Sequence, residues 1–178
     1  MKEKVLSIPT PFGAPLDLYK NIWGKSGDTL SIVSGLHGDH LNGIYLSSKI
    51  SQFLDSIVEG IDPQYTLKGR VVIFPVVNLN ALQSGSRLWP YDGMDMDLAF
   101  PGNPHGETAE ALASSILEHT ADSYWGMIMQ SAPPHYEDAP HIQTMKLDGR
   151  IKKMAHDLKI ETVRKVDSSS KVNLSYQW

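Results

Sequence analysis

Two histidines three residues apart, His37 and His40, stand in the glycine-flanked stretch SGLHGDHLNG at residues 34–43. Neutral imidazole is a common metal ligand, and a His-x-x-His pair can offer two nitrogens to one Zn²⁺. The same spacing also suits two rings hydrogen-bonded in a tight turn without metal. The chain has no cysteine, so a metal here must draw its other ligands from histidine, carboxylate or amide. Asp92, Asp95 and Asp97 alternate in YDGMDMD but lack the glycine and distal glutamate of an EF-hand loop, so calcium is not expected. A third polar group, His135-Tyr136-Glu137-Asp138 with His141, reads as a solvated loop in which His135 is a spare ligand.

These residues need elements to hold them. Residues 29–34 (TLSIVS) and 70–77 (RVVIFPVV) are short apolar, β-branched runs that predict buried strands. Pro75 predicts an edge or a strand end for the second. Between them, residues 41–58 place Leu46, Ile50, Phe53, Leu54 and Ile57 at helical spacing, stopped by Gly60. A second helix is expected over 106–119, lined by Ala109, Leu112, Ala113, Ile116 and Leu117. A strand near 124–130, a helix near 147–157 and a strand near 161–166 follow. Strands alternating with helices imply a mostly parallel sheet covered on both faces, whose ligands gather at the carboxyl ends of the strands. Residues 35–43, 78–104 and 130–141, all unusually polar, fall there.

At 178 residues the chain suits one domain with a real core. A formal net charge of -4 gives no reason to expect nucleic acid or an anionic membrane as partner. No run approaches the roughly 18 apolar residues of a membrane span, and no signal-peptide pattern opens the chain. A cytoplasmic location is the expectation. Beyond the short serine tract at 168–170 there is no low-complexity segment, and no nucleophile elbow or nucleotide-binding glycine loop occurs.

The succession GLHGDHLNG at 35–43, FPVVN at 74–78, SGSR at 84–87 and DMDLAFPG at 95–102 resembles the succinylglutamate desuccinylase/aspartoacylase family, relatives of the zinc carboxypeptidases. The resemblance implies a three-layer α/β/α fold around a mixed, mostly parallel sheet, with zinc-dependent hydrolysis of an amide or related acyl bond in an N-acyl amino acid-like substrate. His37 matches the family's first zinc ligand, and His40 stands where its motif has glutamate. Gln130 falls at the position of the later histidine ligand, so the implied metal set is His37, His40 and Gln130. Arg87 matches an arginine facing the substrate or oxyanion, its alternative being a loop salt bridge to Asp92 or Asp95. Asp97-Leu98 replaces the family's Asn-Arg pair, which grips a substrate carboxylate. Asp97 and Asn78 become the implied substrate-binding residues, and Asp95 is expected to cap or anchor its loop. A carboxylate at 97 repels an acidic substrate and attracts a cation, while Leu98 lacks the two-pronged donor of an arginine. The family's general-base glutamate and its smaller β domain fall after the region matching 160–178. The resemblance thus implies completion by a second chain or self-association. The alternative is a catalytically inactive pseudoenzyme that binds or regulates a partner.

Overall fold

The computed structural model describes residues 1–10, 13–167 and 173–178; the serine tract at 168–170 lies outside them. The elements run β1 (Lys2–Ile8), β2 (Leu16–Trp23), β3 (Thr29–Ser34), α1 (Leu41–Val58), β4 (Arg70–Phe74) and α2 (Leu79–Ser84). A 3-10 turn (Met96–Leu98), α3 (Thr108–Thr120), β5 (Trp125–Met129), β6 (His141–Thr144), α4 (Gly149–Asp157), β7 (Thr162–Lys165) and α5 (Leu174–Gln177) complete the chain. The main sheet has the order β1-β2-β4-β3-β5, and β6 pairs with β7 in a separate parallel ribbon. β3 is central, with β4 and β5 parallel on its two sides, while β2 and β1 extend the β4 side antiparallel. β4 lies inside the sheet, so Pro75 marks its end and not an edge.

Strand alternation divides the interior between the two faces. Along β4, Val72 and Phe74 join one apolar cluster while Val71 and Ile73 join another, and Val33 and Ile32 of β3 separate in the same way. The larger cluster takes Ala109, Leu112, Ala113 and Ile116 from α3, the face that the helical spacing predicts. The smaller takes Leu54 from α1 with Trp23 of β2. Helices therefore cover both faces of a mixed sheet in an α/β/α sandwich.

The buried side of α1 differs from its expected apolar stripe. Leu46 and Phe53 are exposed, whereas Gly43, Ser47 and Leu54 are buried. The cause is close polar packing: Ser47 donates to Ser34 Oγ at 2.8 Å, and Gly43 sits against the Met129 carbonyl, where a Cβ would overlap. The Trp23 indole N–H, bonded to the Asp55 carboxylate at 2.7 Å, fixes the far end of the helix. Among the described residues no helix is long and apolar enough to cross a membrane.

Candidate metal centre

β3 ends at Ser34, and Gly35 turns the chain with φ of 68°, a conformation glycine adopts without steric cost. Gly38 lies so close to the backbone of Ala81 and Leu82 in α2 that no Cβ fits. Held down in this way, the loop buries both histidines, His37 at 1% exposure and His40 at 5%. Their ring centroids are 4.7 Å apart, inclined at 66°.

A second wall comes from the segment after α2. Met96, fully buried, anchors the 3-10 turn and leaves the aspartates on either side of it facing His37. Asp95 caps the turn, its Oδ1 accepting the Asp97 N–H at 3.0 Å. The same oxygen accepts from His37 Nε2 at 2.8 Å, and Asp97 Oδ2 lies 3.9 Å from that nitrogen. One ligand-capable atom from each of His37, Asp95 and Asp97 lies within 4.8 Å of the others. Gln130, one residue beyond β5, donates its amide N–H to Asp97 Oδ2 at 3.4 Å. Arg87 closes the site: Nη1 is 3.1 Å from His40 Nε2, and Nη2 is 3.5 Å from Asp95 Oδ2.

The protons follow from these contacts. His37 donates from Nε2 to a carboxylate, so in the neutral ring the lone pair sits on Nδ1. That atom is buried and has no hydrogen-bond partner among the described residues. His40 is arranged the opposite way. A guanidinium can only donate, so His40 Nε2 accepts and the ring proton sits on Nδ1, itself buried and without a partner among the described residues. Burial lowers the His40 pKa, with the charges of His37 and Arg87 adding to it against the pull of Asp39 and Asp95. Burial opposes ionisation of Asp95, but hydrogen bonds from His37 and the Asp97 N–H, with the nearby positive charges, hold its carboxyl below the usual range. Asp97 moves upward: burial dominates and the Asp95 charge adds to it, outweighing His37, Gln130 and Arg87.

The expected residues therefore meet, in altered parts. His37, His40, Arg87, Asp97 and Gln130 form one cluster of contacts at the carboxyl ends of β3 and β5. Gln130 touches Asp97 as a donor and so steadies a carboxylate. Asn78, expected at the substrate, is fully buried: its Oδ1 caps α2 through the Ala81 N–H at 3.0 Å and its Nδ2 donates to the Leu36 carbonyl at 3.3 Å. Both ends of that amide are used inside the fold, at the cap of α2 and at the Leu36 carbonyl. His135 is exposed with φ of 69° and stands outside the metal-competent group. Asp95 was legible as a cap but not as the partner of His37. An Asp-x-Asp flanking a buried methionine is the signal that marks it.

A divalent cation fits this donor set. A buried imidazole nitrogen carries a bare lone pair, its other nitrogen is fixed by a carboxylate, and Asp97 Oδ1 is a second buried atom with no hydrogen-bond partner among the described residues.

Residues 26–136, more than half of the chain, match the succinylglutamate desuccinylase/aspartoacylase catalytic domain. Over 87 residues the chain is 34% identical to N-alpha-acetyl-L-2,4-diaminobutyric acid deacetylase of Halomonas elongata, a match covering 49% of this chain and 23% of that enzyme. An aspartoacylase family protein from Mesorhizobium loti superposes with a TM-score of 0.69 at 25% identity, covering 89% of this chain and 48% of its own. A succinylglutamate desuccinylase from Silicibacter sp. superposes with a TM-score of 0.75 at 16% identity, covering 99% of this chain and 55% of its own. The chain thus spans about half the length of the two solved structures and about a quarter of the curated relative.

Proposed function

The chain belongs to the succinylglutamate desuccinylase/aspartoacylase family, whose chemistry is amide hydrolysis, and from that premise we propose that it is the metal-holding core of a zinc-dependent deacylase. In this reading it works in the cytoplasm on N-acyl amino compounds, and a second chain completes its activity. The single observation that carries the proposal is His37, whose buried Nδ1 lone pair is bare while Asp95 holds Nε2.

His37 would hold the ion through Nδ1, with Asp97 and His40 completing the set. Two imidazoles and one carboxylate suit Zn²⁺ and leave a fourth position open. Bound there, such a Lewis acid supplies polarisation of a scissile carbonyl and activation of water at neutral pH. The chain's own residues do the rest. Asp95 fixes the tautomer and direction of the His37 ring. Gln130 steadies Asp97. Arg87, its side chain 42% exposed, is the donor available to a developing oxyanion. Asp97 disfavours an anionic group, and Leu98, 60% exposed beside it, offers no donor to a carboxylate. Neutral or basic N-acyl compounds are therefore the favoured substrates, a class that includes the diamino acid in the name of the Halomonas enzyme. Asp95 and Asp97 are both committed to the histidine and the ion, so neither is free to relay a proton.

The test is elemental analysis of protein purified without added metal, together with hydrolysis of N-acetyl amino acids. About one zinc per chain and faster cleavage of basic than acidic substrates is the expected outcome. Zinc missing both alone and with any co-purifying chain would end the proposal. The contact of Arg87 with His40 and Asp95 favours a second reading, a non-catalytic binding subunit with that cation in place of a metal. It expects a zinc-free protein that still associates, so a zinc-free monomer that co-purifies with nothing would count against both.

A further inference from the structure

We propose that Arg87 is a built-in competitor for the metal, so that loading the site expels its guanidinium from His40 and Asp95 towards solvent. The inference rests on the metal-binding reading above and concerns how that site opens. A neutral imidazole has one in-plane lone pair, and Arg87 Nη1, 3.1 Å from Nε2, has taken the one on His40. The remaining nitrogen, Nδ1, carries the ring proton, so His40 has nothing to give a metal while the contact stands.

Both ways of freeing the ring expel the arginine. If Nε2 coordinates, the ion takes the place of the Nη1 hydrogen bond. If Nδ1 coordinates, the proton moves to Nε2, and two N–H donors then face each other. Like charge adds to the effect, because a divalent ion beside His40 repels a guanidinium at hydrogen-bonding distance. Asp95 Oδ2, 3.5 Å from Nη2, holds the other arm of the fork. The route out is open: the Arg87 side chain is 42% exposed, whereas its acceptor His40 is nearly sealed. Metal entry and presentation of a cationic donor to an acyl oxygen become one event.

Titration with Zn²⁺ against a competing chelator, and with Co²⁺ followed by its visible absorption, provides the test. Arg87→Met, with Arg87→Leu as a second variant, is expected to bind either ion about tenfold tighter than the unmodified chain. In a His40→Ala background that gain is expected to shrink to the small part that like-charge repulsion supplies, because the competition is for His40. A readout on the unmodified protein does not depend on the variants folding: phenylglyoxal modification of Arg87, measured by peptide mass, is expected to accelerate when Zn²⁺ is added. Equal or weaker binding by the Arg87 variants, or no change in modification while the chain binds zinc, overturns this inference and leaves the metal-binding reading standing. Absence of binding by every form overturns both.

Discussion

The two sides of the pocket are built from the same residue type and arrive at opposite states. On one side, His37 leans on Asp95, and its free nitrogen is an exposed lone pair in a chemical sense though sealed from solvent. On the other, His40 leans on Arg87, and its free nitrogen carries a proton with nowhere to donate it. A carboxylate partner makes a histidine a better ligand, and a guanidinium partner withdraws it from coordination. Only Gly38 and Asp39 separate the rings in sequence, yet partners contributed by a distant segment decide what each can do.

The sharpest way to break this contrast is to remove the rings one at a time. His37→Ala is expected to lower zinc affinity by at least about 100-fold, more than loss of an outer-shell partner usually costs. His40→Ala is expected to cost about tenfold, since much of its gain from coordination is spent in releasing Arg87. Isothermal titration with Zn²⁺ compares the two directly. Equal losses would mean that the rings are equivalent and that the tautomer assignment has no consequence.

The next effect belongs to stability without metal. Asp95 caps the 3-10 turn and accepts from His37 at once. Asp95→Ala removes a cap and a hydrogen bond to a buried ring, for a loss of about 2 kcal/mol by urea unfolding. Asp95→Asn keeps an acceptor for the cap and is expected to lose less. The carboxyl lies below its usual pKa in the folded chain, so its contribution is complete at neutral pH and is lost as pH falls through that lowered value. His40 acts on the same side of the scale. Its folded pKa is depressed, so below about 6.5 the unfolded chain takes up a proton that the folded ring refuses, and stability declines from there downward. An unfolding free energy flat between pH 7 and 5 would contradict the burial of that ring.

The same contrast governs what was legible in the residues. Thr29–Ser34, Leu41–Val58 and Thr108–Thr120 announced themselves because each carries one uninterrupted pattern, and the two glycine-flanked histidines announced the pocket. β2 stayed hidden because Lys20 occupies an inward position in LDLYKNIW, where a charge disguises the alternation. It is tolerated there because Glu3 of β1 pairs with it at 3.2 Å, a contact no local pattern reveals. β6 has four residues and draws its order from pairing with β7, beyond the reach of periodicity. At the site, residue types told of imidazoles and carboxylates, while the pairing of His37 with Asp95 and of His40 with Arg87 is tertiary. The cap that Asn78 makes was hidden for the same reason: an amide at a strand end looks like a ligand contact until the helix it caps is in place.

The smallest expected effect tests the carboxylate that stands between the two sides. Asp97 has a raised pKa because burial and the charge of Asp95 disfavour its ionised form, and its Oδ1 is buried without a donor. Ionised Asp97 therefore costs the metal-free fold stability at neutral pH. The sign is opposite to that of Asp95: the folded state holds its proton longer than the unfolded chain, so the penalty grows as pH rises through the raised value and vanishes below about 4, where both states are protonated. Asp97→Asn is expected to raise metal-free stability at pH 7 by less than about 1 kcal/mol, a gain absent at low pH, and to weaken zinc binding. Thermal unfolding at the two pH values, with and without zinc, reads both signs. A variant less stable than the parent without metal would mean that Asp97 is held as a structural partner of His37, and the charge it keeps unpaired would no longer mark a place made for a cation.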